Sequence, residues 1–235
     1  MAKIDKSPYS KEAWRKLKQE RRIEKLIKQN QQDKIPSLNT KKMAFVLGNG
    51  TSRAAVNPED LPQYGKVYGC NALYRTFRPD YLIAVDVKMI LEINKSKYQY
   101  ENEVWTNPNK SYSGLKNLNF FNPNKGWSSG PTALWLASQH YYERIFILGF
   151  DFKGIDNGNR FNNIYADTMN YKKSSEGATF FGNWMRQTTS VIRDNPNIHY
   201  TRVIASDNYC PEELNKFSNY STMFIEDFQK MFSLL

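Results

Sequence analysis

Short apolar runs alternate with polar, glycine-containing stretches along residues 43–235. Apolar runs of about four to eight residues predict buried strands, and apolar residues three or four positions apart predict helices. The predicted strands cover residues 43–48, 66–70, 80–86, 103–107, 118–122, 144–151 and 198–203. The predicted helices cover residues 87–96, 130–143 and 183–195, and two short helices follow from Pro211.

The order of these elements predicts the fold class. Short, continuously apolar strands that alternate with helices are typical of a parallel sheet covered on both faces. We therefore predict an α/β fold with a doubly wound, mainly parallel sheet, forming one Rossmann-like domain over residues 43–235. Such sheets bind ligands beyond the carboxyl ends of their strands. The polar segment at residues 152–182 follows one of those ends and is a candidate lid.

Residues 1–42 differ from this body in charge. They carry 13 Lys or Arg and 5 Asp or Glu, which leaves 20 basic and 18 acidic residues in the rest of the chain. The pattern of residues 7–32 predicts a helix, and the composition of residues 33–42 predicts a linker. This extension could bind nucleic acid or an anionic surface, or it could pack against a partner, including a second copy in a homo-oligomer. The interleaved acidic residues favour a solvated or partner-docking helix over nucleic-acid binding.

Several classes of protein fit the composition poorly. No stretch approaches the roughly 18 apolar residues of a membrane span, and the N-terminus shows no apolar signal region. The only cysteines are Cys70 and Cys210, and the only histidines are His140 and His199, so we expect no metal site. These features predict a cytoplasmic protein.

The first predicted strand ends in a turn that suits a phosphate. Gly48-Asn49-Gly50-Thr51-Ser52 contains small residues, which allow backbone N–H groups to approach an anion. A helix that began there would add its dipole. We therefore expect a phosphate to bind at this turn.

Other polar residues follow the remaining strands of the predicted sheet. Asn71 and Asp86 end two strands, Asp151 ends a third, and Ser129-Gly130 begin a helix. Each alone has an ordinary interpretation as a turn or cap residue. Their expected convergence on one edge of the sheet favours a nucleotide site. The predicted nucleotide-binding residues are Gly48, Asn49, Gly50, Thr51, Ser52, Asn71, Asp86, Ser129 and Gly130.

Two common nucleotide motifs are absent. A dinucleotide fingerprint requires a third glycine where this chain has Arg53, and an acidic residue where the second strand ends in Cys70-Asn71. The chain also lacks the Gly-Lys-Ser/Thr of a P-loop. NAD and P-loop chemistry are therefore not expected.

Four motifs in order, "VLGNGTSR", "YGCNALY", "SSGPTALWLA" and "RIFILGFDF", resemble those of bacterial lipooligosaccharide sialyltransferases. The resemblance covers about residues 43–200. It implies a nucleotide-sugar donor, CMP-linked by preference, with no further cofactor. It also implies a lid after Asp151 in which Tyr165 and Tyr171 hold the leaving phosphate. A phenol O–H can donate to developing phosphate charge without a metal.

The chain departs from the family pattern at the expected general base. The family has a histidine just past the lid, and Asn183 stands there in this sequence. An amide cannot accept a proton at neutral pH. The carboxylates that could replace it are Asp86, Asp151 and Asp167, of which Asp151 is the first choice by position. Thr51 also replaces a family proline. The predicted catalytic residues are Asp151, Tyr165 and Tyr171.

Three functional hypotheses follow. The first is a glycosyltransferase that transfers a sugar from a nucleotide to a hydroxyl acceptor. The second is a nucleotide- or nucleic-acid-binding protein on the same fold without sugar transfer. The third is an interaction protein whose N-terminal helix docks a partner.

Overall fold

The computed structural model describes residues 42–205 and 209–234. The helix predicted at residues 7–32, the linker and the basic character of the N-terminal extension fall outside the described residues. Within these two ranges the chain forms eight strands and five α-helices.

Eight strands form one sheet in which every neighbouring pair is parallel. Their order across the sheet is β5-β4-β3-β2-β1-β6-β7-β8. The strands are β1 (Met43–Leu47), β2 (Lys66–Cys70), β3 (Tyr81–Ile83), β4 (Val104–Thr106), β5 (Asn119–Phe120), β6 (Arg144–Leu148), β7 (His199–Ile204) and β8 (Tyr220–Phe224). This arrangement confirms the predicted doubly wound α/β sheet.

Helices cover both faces of the sheet. They are α1 (Val87–Lys95), α2 (Ser129–Gln139), α3 (Gly182–Asp194), α4 (Glu212–Asn215) and α5 (Ile225–Met231). Alternate residues of β1 point to opposite faces, so Phe45 packs with Phe228 of α5 while Val46 packs with Leu134 of α2. Burying side chains of this size contributes about 1.5–3 kcal/mol each, which makes the two-sided burial of β1 a principal source of stability.

The strand order reverses direction at β1. The chain runs outward from β1 to β5, then crosses back through α2 to place β6 on the other side of β1. A crevice forms at such a switch point, beyond the carboxyl ends of the strands, because the adjoining connections leave in opposite directions. By this rule, the topology favours ligand binding near the ends of β1, β2 and β6.

One strand was missing from the predicted elements. After β1 the chain forms short 3-10 turns at Thr51–Arg53 and Pro58–Asp60 and no α-helix, so no helix dipole adds to the turn that follows β1. The C-terminal region contains the eighth strand, β8, between the two predicted short helices. β8 lies at the edge of the sheet, half-buried and without clear polar alternation. β8 is recognised as a strand by its hydrogen-bonded pairing with β7, because its own hydrophobic and polar pattern does not mark it as one.

Candidate functional site

Asn49 lies at the carboxyl end of β1 and connects three segments. Its side chain is 8% exposed. Its Nδ2 donates to the carbonyl of Cys70 at the end of β2 and to the Tyr171 hydroxyl of the lid, both at 3.2 Å. Its Oδ1 is buried and receives no hydrogen bond from the described residues. Because a buried acceptor without a donor is costly, this oxygen is a candidate contact for a water or a ligand.

Asn71 and Ser129 bring two further segments to the same place. Asn71 has a φ of 53°, in the left-handed region that asparagine tolerates better than most residues. Its Oδ1 accepts from Ser129 Oγ at 2.8 Å. That Oγ also accepts from the backbone N–H of Val85 at 3.1 Å, just beyond β3. The first turn of α2 therefore binds to the ends of both β2 and β3.

Tyr171 completes the arrangement from the lid. Its hydroxyl oxygen accepts from Asn49 Nδ2 and from the backbone N–H of Ala72 at 3.3 Å. Its own proton has no acceptor in the described part of the chain. Burial is the main cause that raises the pKa of Tyr171, so the phenol stays protonated at neutral pH. We call Asn49, Asn71, Ser129 and Tyr171 the strand-end site.

The backbone amides of the turn after β1 are engaged within the protein. Gly50 N–H donates to Gly149 O at 2.9 Å, and Thr51 N–H and Oγ1 both donate to Asn162 Oδ1 at 2.9 Å. Ser52 N–H donates to Asp151 Oδ2 at 3.1 Å. An anion at this turn would compete with these acceptors. The expected phosphate position there stays a prediction, and the geometry favours the strand-end site instead.

The glycines around this turn have a structural explanation in close packing. A Cβ added to Gly50 would lie 2.5 Å from the carboxylate of Asp151, and one on Gly48 would lie 2.5 Å from the carbonyl oxygen of Gly149. One on Gly130 would lie 3.2 Å from the ring of Phe150. Small residues therefore let the turn after β6 approach both β1 and α2.

The Asp151 side chain connects the turn after β1 to the lid through hydrogen bonds. Its carboxylate accepts hydrogen bonds from Ser52 N–H, from Ser52 Oγ and, at 2.9 Å, from Asn162 Nδ2. Three donors occupy three of the roughly four lone-pair sites of this carboxylate, which leaves about one for a substrate proton. The geometry therefore favours a structural role for Asp151 over the catalytic role predicted for it.

The two lid tyrosines lie side by side but differ in their contacts. Their ring centroids are 6.0 Å apart. The Tyr165 hydroxyl contacts Thr76 Oγ1 at 2.8 Å rather than a member of the strand-end site. Only Tyr171 therefore reaches Asn49.

An ion pair fixes the lid near Tyr171. Arg75 Nε and Nη2 donate to the two oxygens of Glu92, both at 2.7 Å. Arg75 also donates to Thr168 Oγ1 and Met169 O, and Asn170 donates to Glu92. Burial alone would raise the pKa of Glu92, but hydrogen bonds from Arg75, Tyr74 and Asn170 outweigh it and lower that pKa.

The remaining candidate acids and the amide at the expected base position differ in environment. Asp167 is exposed and accepts from Ser174 N–H at 3.1 Å, and hydrogen bonds from Ser174 lower the pKa of its carboxyl. Asn183 is exposed on α3 and accepts from Arg186 at 3.1 Å. Asp86 precedes α1 and is exposed, and its side chain makes no capping hydrogen bond; partial desolvation raises the pKa of its carboxyl.

Sequence reasoning missed Asn162, Arg75 and Glu92. All three act through contacts between segments 11 to 111 positions apart, such as Thr51 with Asn162. No local pattern marks such a contact, because polar residues in a lid or on a helix face are ordinarily solvated. These long-range contacts could therefore be identified only from the tertiary structure.

Within residues 42–205 and 209–234, no three His, Cys, Asp or Glu side chains come together as a metal site, and no helix there combines the length and apolarity that a membrane crossing requires. Comparisons of the chain with family models, characterised proteins and solved structures gave no match. The resemblance to the sialyltransferases therefore rests on the four motifs themselves.

Proposed function

We propose that the protein is a glycosyltransferase-like enzyme that binds a nucleotide-sugar, CMP-linked by preference, at the strand-end site. One observation carries the proposal. The buried Asn49 Oδ1 has no donor, and the neighbouring Tyr171 O–H has no acceptor among the described residues. A nucleoside phosphate supplies both partners, since it has hydroxyl or amino donors and phosphate acceptors.

The roles of the four residues follow from their chemistry. The Tyr171 O–H donates to an oxygen of the leaving phosphate, and Asn49 Oδ1 accepts from the nucleoside. Asn71 and Ser129 place the first turn of α2 beside the ligand, where the helix dipole favours negative charge. In the transfer, the sugar leaves the phosphate for an acceptor hydroxyl, and hydrogen bonds to the phosphate stabilise the developing charge.

Calorimetric titration of the full chain with CMP tests the binding step. We expect Asn49→Ala to weaken CMP binding about 10-fold, the effect of one lost hydrogen bond of about 1.4 kcal/mol. Asn215→Ala, at an exposed site on α4, is the matched control and should bind as the parent does. Equal affinities for the two variants would place the nucleotide elsewhere.

Two observations favour a second function, which is nucleotide binding without sugar transfer. The carboxylate of Asp151 already accepts hydrogen bonds from Ser52 and Asn162, and Asn183 stands at the position of the family histidine. Incubation with CMP-linked sialic acid separates the two. Release of CMP above the uncatalysed rate supports the enzyme, whereas tight CMP binding without release supports the binding protein.

A further inference from the structure

Phe120 presents an exposed aromatic face at the outer strand of the sheet. It is the last residue of β5, and 43% of it is exposed. The next residue, Phe121, is buried and packs on Trp135 of α2 with ring centroids 5.6 Å apart. Because successive strand residues point to opposite faces, Phe120 lies on the face that α1 covers. There its ring stacks on that of Tyr112, with centroids 6.5 Å apart and 21° between the planes.

An open pocket lies against the exposed ring of Phe120, and we call it the Phe120 pocket. Its volume is about 230 Å³. Its lining residues are Pro108, Asn109, Lys110, Tyr112, Ser113 and Phe120. Pockets for drug-sized ligands measure roughly 300–1,000 Å³. The Phe120 pocket therefore fits one small ring and is too small for a whole nucleotide-sugar.

The Phe120 pocket combines an aromatic wall with a polar rim. Tyr112 is 4% exposed, so a buried ring supports the exposed ring of Phe120 from behind. Lys110 and Ser113 are exposed on the rim and supply an ammonium and a hydroxyl. A sugar ring matches this combination, because its C–H groups form an apolar face and its hydroxyls form hydrogen bonds at the edge. A purely apolar ligand would cover Phe120 but would have no hydrogen-bonding group for Lys110 and Ser113.

The Phe120 pocket lies at the same edge of the sheet as the strand-end site. β3 pairs with β4, and β4 pairs with β5, where Thr106 lies opposite Phe120 at the carboxyl ends of both strands. Val85, two residues past β3, donates its N–H to Ser129 Oγ of the strand-end site at 3.1 Å. Neighbouring strands are about 4.8 Å apart, so two strand spacings place Phe120 roughly 10 Å from the end of β3.

The Phe120 pocket also shares a face of the sheet with the lid tyrosines. Tyr112 and Tyr165 are buried members of one apolar cluster that includes the inner side of α1, and Tyr171 packs against this cluster. The Tyr171 hydroxyl in turn accepts from Asn49 Nδ2 in the strand-end site. A ligand can therefore extend from the strand-end site to the Phe120 pocket along one face and one edge of the sheet.

We propose that the Phe120 pocket binds a sugar ring of the acceptor and that the acceptor is an oligosaccharide, an inference that rests on the proposed function. The hydroxyl that receives the donor sugar lies at the strand-end site, and a second ring of the same acceptor stacks on Phe120. One ring does not reach across two strand spacings, so the acceptor contains at least two rings. Lys110 Nζ and Ser113 Oγ bind hydroxyls of the stacked ring.

Saturation-transfer NMR of the full chain tests the Phe120 pocket without a donor. The probes are glucose, lactose, cellotriose and chitotriose. We expect the parent to bind at least one of them, Phe120→Ala to bind it about 3- to 10-fold more weakly, and Phe120→Trp to restore the affinity. Tyr100→Ala is the matched control, because Tyr100 is 51% exposed and precedes β4 at the opposite, amino edge of the sheet. It should bind as the parent does.

Transfer kinetics test the link between the Phe120 pocket and the reaction. CMP release from CMP-linked sialic acid is measured with each saccharide that binds. In the parent, KM for the acceptor should fall as the saccharide lengthens from one ring to three. Phe120→Ala should raise KM for the trisaccharide about 3- to 10-fold and leave kcat and the calorimetric CMP affinity within about threefold. Equal KM values in the parent and Phe120→Ala would contradict the acceptor role.

The outcomes separate the Phe120 pocket from the proposed function. If the parent binds none of the four saccharides, the inference is overturned whether or not CMP binds. Binding of N-acetylphenylalaninamide without any saccharide would also overturn it and would assign the pocket to an apolar peptide side chain. If the parent binds a saccharide through Phe120 but binds no CMP, the proposed function fails, and the acceptor role of the pocket fails with it.

A second variant decides the case if Phe120→Ala does not fold. Lys110→Ala keeps the stacked rings of Phe120 and Tyr112 and removes one donor from the exposed rim. We expect it to weaken saccharide binding by about threefold, because an exposed hydrogen bond contributes about 0.5–1 kcal/mol. Unchanged saccharide binding in Lys110→Ala, with an unfolding temperature equal to that of the parent, would refute the arrangement proposed for the rim.

Discussion

The Tyr171 hydroxyl is the group that couples the lid to the ends of β1 and β2. Tyr171→Phe keeps the ring, including its contact with Arg75 at 5.8 Å, and removes the hydrogen bonds to Asn49 and Ala72. We expect CMP affinity to fall about 10-fold by calorimetry, because the phosphate loses a donor. Tyr165→Phe loses only the contact with Thr76 and should bind CMP within about threefold of the parent. A larger loss in Tyr165→Phe would assign the phosphate to the other tyrosine.

The two cysteines should differ in reactivity because their environments differ. Burial raises the pKa of Cys70 to about 12, and its Sγ donates to Leu47 O at 3.3 Å. Cys210 is half-buried. Since the thiolate is the reactive form, we expect a thiol reagent at pH 8 to modify Cys210 in the native protein and Cys70 only after unfolding. Mass spectrometry of the labelled peptides checks this order, and equal rates would contradict the burial of Cys70.

Among the elements, the lid depends on the ion pair of Arg75 and Glu92, whose side chains are 20% and 9% exposed. Removal of one partner of a buried pair leaves an uncompensated charge. We expect Glu92→Gln to speed tryptic cleavage at Lys172 and Lys173 and to increase amide exchange around Tyr171. Glu101→Gln breaks an exposed contact of 3.9 Å with Arg78 and should leave both measurements unchanged.

The same ion pair gives the lid a pH dependence with a defined sign. Hydrogen bonds lower the folded-state pKa of Glu92 below its ordinary value of 4.5, although burial opposes them. The stabilisation is therefore present above that value and is lost as the pH falls through the lower, folded-state pKa. We expect amide exchange in the lid to accelerate in acid below about pH 4.5, relative to exchange in β1 at the same pH. Lid exchange that keeps pace with β1 through this range would show that Glu92 does not hold the lid.

The elements that could be predicted from sequence are those in which a continuous run of apolar residues marks a buried strand. The apolar run of β1 and the short run of β2 are central strands, and their predicted bounds agree with the structure to within one residue. The half-buried edge strand β8 has no such run and was missed. The same distinction holds for the site. Asn49, Asn71 and Ser129 follow or begin predicted elements, whereas Asn162 and Glu92 depend on long-range contacts with no sequence pattern.

At the scale of the whole molecule, the switch-point topology explains how one site draws on five segments. The ends of β1, β2 and β3, the start of α2 and the lid meet because the chain reverses direction between β5 and β6. No single segment supplies a complete ligand set. The unsatisfied groups at Asn49 and Tyr171 therefore exist only in the folded chain. A nucleotide that binds them should stabilise the folded state, with a gain that grows as the logarithm of its concentration over Kd.

The net charge of the chain is concentrated in the N-terminal extension and not in the part that contains the strand-end site. Residues 1–42 carry a net charge of +8 out of the +10 of the whole chain, so the body is nearly neutral. We expect deletion of residues 1–38 to lower the salt concentration at which the protein elutes from heparin, because fewer counterions are released on binding a polyanion. CMP affinity should stay within about twofold, since every residue of the strand-end site lies in the retained part. Loss of CMP binding on deletion would mean that the extension contributes to the nucleotide site, and it would refute the assignment of binding to the strand ends alone.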